Sequence, residues 1–267
     1  MFMKDSVNVL AIPYLLALRF SLGAIAIFAV CYKRFLHLTK ADVVHGIMIG
    51  VLLFGAYFVQ TIGISDTTPG KNAFLTATYC VIVPFLVWVI DRKKPDKYEF
   101  LAAFLCIAGI GFVSLTEAFT IRYGDLMTIL CGFLYAAHIL AIQHWGSDMD
   151  PIVSTTFQLA TVGAISWLIT LQNPATIVPL QADMIGTILF LGLGASALCM
   201  FFQTYGLQHV NPVTGSILLS LESVFGALFS ILFYKERVTI PVVIGFGLIF
   251  TAVILAQTKD GLWKKEK

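Results

Sequence analysis

The sequence predicts an all-α, polytopic membrane helix bundle assembled from two copies of one helical unit. Hydrophobic residues make up 58% of the 267-residue chain and charged residues only 12%, with a mean hydropathy of +0.89. A soluble domain of this size needs about a quarter of its residues charged to cover its surface, so the solvent here is lipid. Nine apolar segments recur along the chain, and each approaches the roughly 20 residues that cross a bilayer as a helix. A repeat runs through them. Gln60-Thr61-Ile62-Gly63-Ile64, followed by Pro69, returns 143 residues later as Gln203-Thr204-Tyr205-Gly206-Leu207, followed by Pro212.

The spans fall near 12–32, 42–63, 71–90, 98–117, 124–144, 152–172, 184–207, 212–234 and 239–257, divided by polar, proline or glycine punctuation. Short connections make sequential helices antiparallel neighbours. The register of 143 residues holds onward, setting Leu75 on Leu218 and Gly109 on Ala252. Pro69 and Pro212 open the helices that follow them. The later unit has five spans and the earlier one four. Pro13 corresponds to Pro151, each at the opening of a span. A full span precedes Pro151, whereas only Met1 to Ala11 precede Pro13. The first helix of the first copy is therefore expected to be missing, with Met1 to Ser6 as its outer end. Met1 to Asn8 carry Lys4, Asp5 and Asn8 and lack the h-region of a cleavable signal. A five-helix unit crosses an odd number of times, so its second copy enters inverted. The expected architecture is five plus five helices with nine full spans present. The first repeat occupies 1–118, the second 124–257, and a tail 258–267.

Lysine and arginine orient the chain. Lys33, Arg34 and Lys40, then Arg92, Lys93, Lys94 and Lys97, then Lys259, Lys264, Lys265 and Lys267 hold eleven of the seventeen basic residues. If these groups face the cytoplasm, so does the C-terminus of this multi-pass cell-membrane protein. The formal charge of +2 and the lack of a basic run with interleaved aromatics argue against a nucleic-acid partner. Cys31, Cys80, Cys106, Cys131 and Cys199 lie in apolar segments without a C-x-x-C pair, and read as packing residues rather than a redox or metal site.

An ionisable side chain at membrane depth is costly and marks a site. Glu222 lies about ten residues into its span, near mid-bilayer at 1.5 Å rise per residue. It reads as a proton-coupling or substrate-contacting carboxylate, or as a tie between helices. Tyr79 holds the matching place in the first repeat. Arg19, two turns into its helix, snorkels toward headgroups or pairs with an anion. His138, with Tyr135 one turn earlier on the same side, lines a pore or sits satisfied in the core. Gln60 and Gln203, symmetric near their span ends, bind substrate or tie the helix end into its turn. The Gly46-x-x-x-Gly50 spacing permits close helix contact, as do the glycine pairs at 109 and 111, 192 and 194, and 245 and 247.

Leu219-Ser220-Leu221-Glu222 followed by Tyr234-Lys235-Glu236-Arg237, the first-half counterpart Phe74-Leu75-Thr76-Ala77-Thr78-Tyr79 leading to Pro84-Phe85, and Leu18-Arg19-Phe20 together resemble the drug/metabolite transporter superfamily, EamA type. The resemblance covers the chain apart from the first helix. Two departures are Ser223, where that family often has proline, and the lack of the Trp-Gly motif common in its first helix. The resemblance implies a secondary transporter of small organic solutes, exporting amino acids or related metabolites. A central cavity between inverted repeats would open alternately to each side, lined by Glu222, Tyr79, His138 and Tyr135. The competing expectation is a non-transporting membrane protein or an inactive truncated form. No P-loop, H-E-x-x-H or G-x-S-x-G occurs, so the chain is expected not to be an enzyme. No cofactor or metal is expected. The partners expected are a small metabolite and the bilayer, and a homodimer is compatible with such a bundle.

Overall fold

The computed structural model describes the backbone of residues 6, 9–66, 69–114, 122–180, 182–222, 225 and 240–263. Ser223, the 234–237 motif, the last four residues of the tail and most of the N-terminal stub lie outside the described residues. Among those described, no strand occurs. The helices are α1 Ile12–Cys31, α2 Lys40–Asp66, α3 Pro69–Thr76, α4 Tyr79–Asp91, α5 Lys97–Ser114, α6 Tyr123–Trp145, α7 Pro151–Gln172, α8 Ala182–Leu189, α9 Cys199–His209, α10 Pro212–Leu219 and α11 Ile240–Trp263. A π-helical segment, Phe190–Leu198, joins α8 to α9 into one rod.

Composition is inverted relative to a soluble protein. Val30, Phe104, Ile25 and Leu168 lie exposed on the perimeter, while Arg19, Thr128, His138, Ser154, Gln158 and Ser196 are buried. An apolar surround favours this arrangement, because polar groups then find partners only inside. By length and composition, Ile12–Phe35, Lys40–Asp66, Tyr123–Trp145, Pro151–Gln172 and Met184–His209 can each cross a bilayer alone.

Local chemistry sets the ends. Thr39 and Asp42 cap α2 reciprocally: the Asp42 carboxylate accepts from Thr39 N at 2.9 Å, and Thr39 Oγ1 accepts from Asp42 N at 3.1 Å. This starts the helix before the expected 42, and it runs on to Asp66. Gln60 is therefore inside a helix rather than at its end. Asp150 caps α7 by accepting from Ile152 N at 2.8 Å, and Asn211 caps α10 by accepting from Thr214 N at 2.8 Å. α11 continues past 257 into the segment expected as tail.

The expected single span 71–90 is two helices. The break falls at Ala77–Thr78, where the Thr78 hydroxyl donates to the Leu75 carbonyl at 2.6 Å. A side chain that bonds the backbone in this way competes with the helical ladder. The second half does the same at its corresponding place. α10 stops at Leu219, the Ser220 hydroxyl donates to the Ile217 carbonyl at 2.5 Å, and helix resumes at Leu221–Glu222. Ala77 and Ser220 are related by the repeat spacing.

Two pairs of helices related by the repeat pack against each other, α1 on α7 and α5 on α11, while α4 packs on α10, the counterpart of α3, and α2 packs most extensively on α6. Glycines admit close approach within and beyond these pairs. Between α2 and α7, a Cβ on Gly46 would lie 2.6 Å from Phe157 Cβ, and one on Gly50 would lie 2.6 Å from Thr161 Cβ. A Cβ on Gly109 would meet backbone on α11, Gly245 O at 2.7 Å and Ile249 N at 3.0 Å. Backbone cannot swing aside as a side chain can. Gly109→Ala is therefore expected to cost about 1–3 kcal/mol by overpacking, read as a lower melting midpoint of the purified protein in detergent. Gly247→Ala, with nothing within 4 Å of the added carbon, is the control and leaves the midpoint in place or raises it slightly, since alanine is the better helix former.

Candidate functional site

The two helix breaks set the position of the site. Just beyond them stand two repeat-related residues, Tyr79 directly after the first and Glu222 two residues past Ser220 at the second. Between them stands Tyr135 of α6. Its ring meets Tyr57 edge-on with centroids 5.6 Å apart, and Tyr79 edge-on at 6.4 Å. Its hydroxyl donates to Gln60 Oε1 at 3.4 Å, and Gln60 Nε2 donates to Thr76 Oγ1 at 3.4 Å, at the edge of the first break. The Glu222 side chain is accessible, and its carboxylate lies within Coulombic reach of Tyr57, Tyr79 and Tyr135. Tyr57, Tyr79 and Tyr135 thus form a wall contributed by α2, α4 and α6.

Tyr57 also shows how the halves meet. Its hydroxyl reaches Met200 Sδ at 3.6 Å across 143 residues, the spacing of the sequence repeat. A residue that touches its own counterpart lies at the centre of the duplicated arrangement. Gly132 lets α6 approach the first break, since a Cβ there would fall 2.6 Å from Thr78 Oγ1 and 3.2 Å from the Leu75 carbonyl. At the second break, Cys106 Sγ and Ser220 Oγ are 2.7 Å apart.

Arg19 is 3% exposed and does not snorkel. Its Nε donates to Ser196 Oγ at 2.9 Å, and its guanidinium lies 4.7 Å from the Phe20 ring centroid and 5.3 Å from that of Tyr57. Desolvated contacts of this kind hold a buried guanidinium. It joins α1 to the π-helical segment, where Gly192 and Gly23 bring the two backbones together.

His138 packs edge-on against the Tyr135 ring, with centroids 6.4 Å apart, and directs its hydrogen bond toward α7. Gln158 Nε2 donates to Ser154 Oγ at 3.1 Å and to Thr204 Oγ1 at 3.4 Å, which leaves Gln158 Oε1 to accept from His138 Nε2 at 2.9 Å. The ring is fully buried and Nδ1 has no partner. This chain of bonds links α6, α7 and α9. Gln203 lies half-buried on α9 and, among the described residues, takes no part in the hydrogen bonds of the cluster. The structure therefore gathers Glu222, Tyr79, Tyr135 and Gln60, and places Arg19 and His138 in adjoining buried layers. Tyr57, Thr76 and Gln158 join them without having been singled out in the sequence. For Tyr57, its place three residues before Gln60 on one helix face was the available signal. Among the described residues, no three His, Cys, Asp or Glu side chains converge as metal ligands.

The EamA-like transporter family matches residues 1–115 and 122–258. The chain belongs to the EamA-like transporter family. It is a multi-pass membrane transporter. It is similar to an uncharacterized transporter of Archaeoglobus fulgidus, 26% identical over 240 residues, covering 90% of this chain and 77% of that protein. It is also similar to Protein PecM of Dickeya dadantii, 25% identical over 217 residues, covering 79% of this chain and 72% of that one. A solved crystal structure shares the fold with a TM-score of 0.78 at 17% identity, covering 96% of this chain and 90% of that one.

At the end of this EamA-family bundle that carries Arg34 and Lys93, the helices are tied together. Gln143 Nε2 donates to the carbonyls of Leu207, at 2.7 Å, and Val210. Gln208 Nε2 donates to Gly146 O at 2.6 Å. Arg34 pairs with Asp150 at 3.1 Å. A cleft of about 330 Å³ opens between Asp91, Lys93, Gln143 and His144. Both ring nitrogens of His144 face acceptors, Leu140 O at 2.9 Å and Asp91 Oδ1 at 2.6 Å. Both must donate, so the ring is an imidazolium in this arrangement.

Two outcomes follow from these contacts. His138→Leu strands the buried Gln158 amide oxygen and is expected to cost about 1–3 kcal/mol, measured as a lowered melting midpoint. Asp91→Asn or alkaline pH weakens the tie to His144 without touching the tyrosine wall. A cysteine placed at Leu207 should then react faster with a membrane-impermeant maleimide than it does in the parent chain at neutral pH.

Proposed function

We propose that the chain is a secondary transporter of small organic solutes that exports amino acids or related metabolites by alternating access. The carrying observation is the pair of repeat-related helix breaks that set Tyr79 and Glu222 beside the tyrosine wall between the two halves. Discontinuous helices at mid-membrane, in corresponding places of two repeats, are where secondary transporters hold solutes and coupling ions. In this reading the repeats are inverted, the basic end faces the cytoplasm together with the C-terminus, and Glu222, Tyr79, Tyr135 and Gln60 line the path. Arg19 and His138 set the positions of the helices that form it. The ties at the basic end, from Gln143, His144 and Gln208, close the cytoplasmic side, and their release opens it. The glycine contacts between repeat-related helices supply smooth faces for the rocking.

The reading is tested by flux. Purified chain in liposomes, given a pH gradient and a panel of amino acids and metabolites, is expected to move at least one solute, and Glu222→Gln is expected to reduce that movement to the level of empty vesicles. Gradient-driven flux that is unchanged in the variant removes Glu222 from the path. An inert parent chain across the panel removes the transport reading.

A further inference from the structure

The cleft of about 330 Å³ at the basic end is lined by Asp91, Lys93, Gln143 and His144. Its walls come from different halves of the chain. Asp91 closes α4 and Lys93 lies in the turn after it, whereas Gln143 and His144 belong to the last turn of α6. Cations outnumber anions there. The His144 imidazolium uses Asp91 Oδ1, 2.6 Å away, as its counter-charge, and its other ring proton goes to Leu140 O at 2.9 Å. Lys93 is exposed and, among the described residues, enters no ion pair. Two cations thus share one carboxylate and repel each other across the cleft, which an entering anion would relieve. Gln143 contributes no charge, and its Nε2 is already bonded to the carbonyls of Leu207 and Val210.

The backbone brings Lys93 to this wall through an unfavourable conformation. Arg92 ends α4 in the left-handed region, with φ 55°, which a side chain other than glycine adopts against a steric penalty. Strain of this kind collects at ligand sites. The cleft also sits at headgroup depth. Lys94 Nζ lies 5.8 Å from the Trp88 ring centroid, and Lys97 Nζ lies 5.2 Å from that of Tyr98. Both rings are about half exposed, at 44% and 45%. Exposed tryptophan and tyrosine beside lysines mark the boundary between hydrocarbon and water. Basic pockets between membrane helices at that boundary suit the headgroups of anionic lipids.

We propose that the cleft between α4 and α6 binds the phosphate of an anionic phospholipid headgroup. Lys93 is the direct ion partner. His144 adds attraction through its charge alone, because both of its protons are committed. The chemistry recognised is a phosphate-bearing anion, and the depth of the cleft selects lipid over free phosphate. A bound headgroup ties the first half to the second at this end. The site rests on the placement of the chain in a membrane and not on what the chain carries.

The test uses the full chain purified in a neutral detergent, mixed with phosphatidylglycerol or with phosphatidylcholine at equal mole fraction. Phosphatidylglycerol is expected to bind at least about fivefold tighter, counted as lipid retained in native mass spectra. It is also expected to raise the melting midpoint by about 2 °C or more above the choline lipid. Lys93→Gln is expected to reduce the preference by about fivefold, the share of one cation near the surface. Lys93→Arg keeps it. Lys40→Gln removes a cation at the same end but outside the cleft, and the preference is retained. Parent-like melting of each variant in phosphatidylcholine shows that it is folded.

Equal retention of the two lipids by the parent chain overturns the proposal. So does a preference that Lys93→Gln leaves in place, or that Lys40→Gln lowers as much. Inorganic phosphate that protects as well as phosphatidylglycerol at the same concentration assigns the cleft to a free anion and overturns the lipid site. A chain that moves no solute yet keeps the Lys93-dependent preference loses the transport reading and keeps this site.

Discussion

A backbone carbonyl or amide cannot be left unpaired in an apolar surround, and this constraint governs the structure at the places where helices stop inside the bundle. Among the described residues, two such places are at Ala77–Thr78 and at Ser220. Each is made tolerable in the same way, by a hydroxyl that returns to a carbonyl three residues back. Protein then closes over the breaks. Gly132 admits the first against α6, and Cys106 reaches the second. Just beyond each break stands one of a repeat-related pair, Tyr79 after the first and Glu222 after the second, and Tyr79 joins Tyr135 in the central cluster.

The second layer keeps that cluster in place through bonds that are worth little singly and matter because they are buried. Gln158 has its amide orientation decided by Ser154 and Thr204, and it in turn decides the tautomer of His138. Arg19 carries a full charge into the bundle, where its contacts include the Ser196 hydroxyl and the Phe20 and Tyr57 rings. Removing a partner in such a place costs the desolvation of what remains, which is larger than the bond itself. The family assignment and the fold agree with these contacts. The 143-residue spacing recurs as the sequence separation of a physical contact between Tyr57 and Met200.

Much of this was legible in the chain before any coordinates. The helical class, the number and rough limits of the spans and the repeat followed from composition and spacing, because lipid demands long apolar helices and a repeat needs no tertiary information. Tyr79 and Glu222 were legible as a pair for the same reason. The helix break was not. Ala77-Thr78 reads as unremarkable within an apolar span, since a hydroxyl that bonds back to its own helix and one that leaves the helix intact look alike in sequence. His138 and Arg19 were each left with two readings, and only their neighbours on α7 and in the π-helical segment show which way they face.

The sequence by itself determined that this chain is a duplicated bundle of membrane helices in the EamA pattern, with few ionisable groups inside. Hydropathy and spacing carry that information locally, one helix at a time. The tertiary structure alone decided which polar residues share a site. Facing side chains come from helices far apart in the chain, and their meeting depends on crossing geometry set by glycines at 23, 46, 50, 109 and 132. It also decided that the guanidinium of Arg19 is sealed, because burial is a property of the packed bundle and of no single helix.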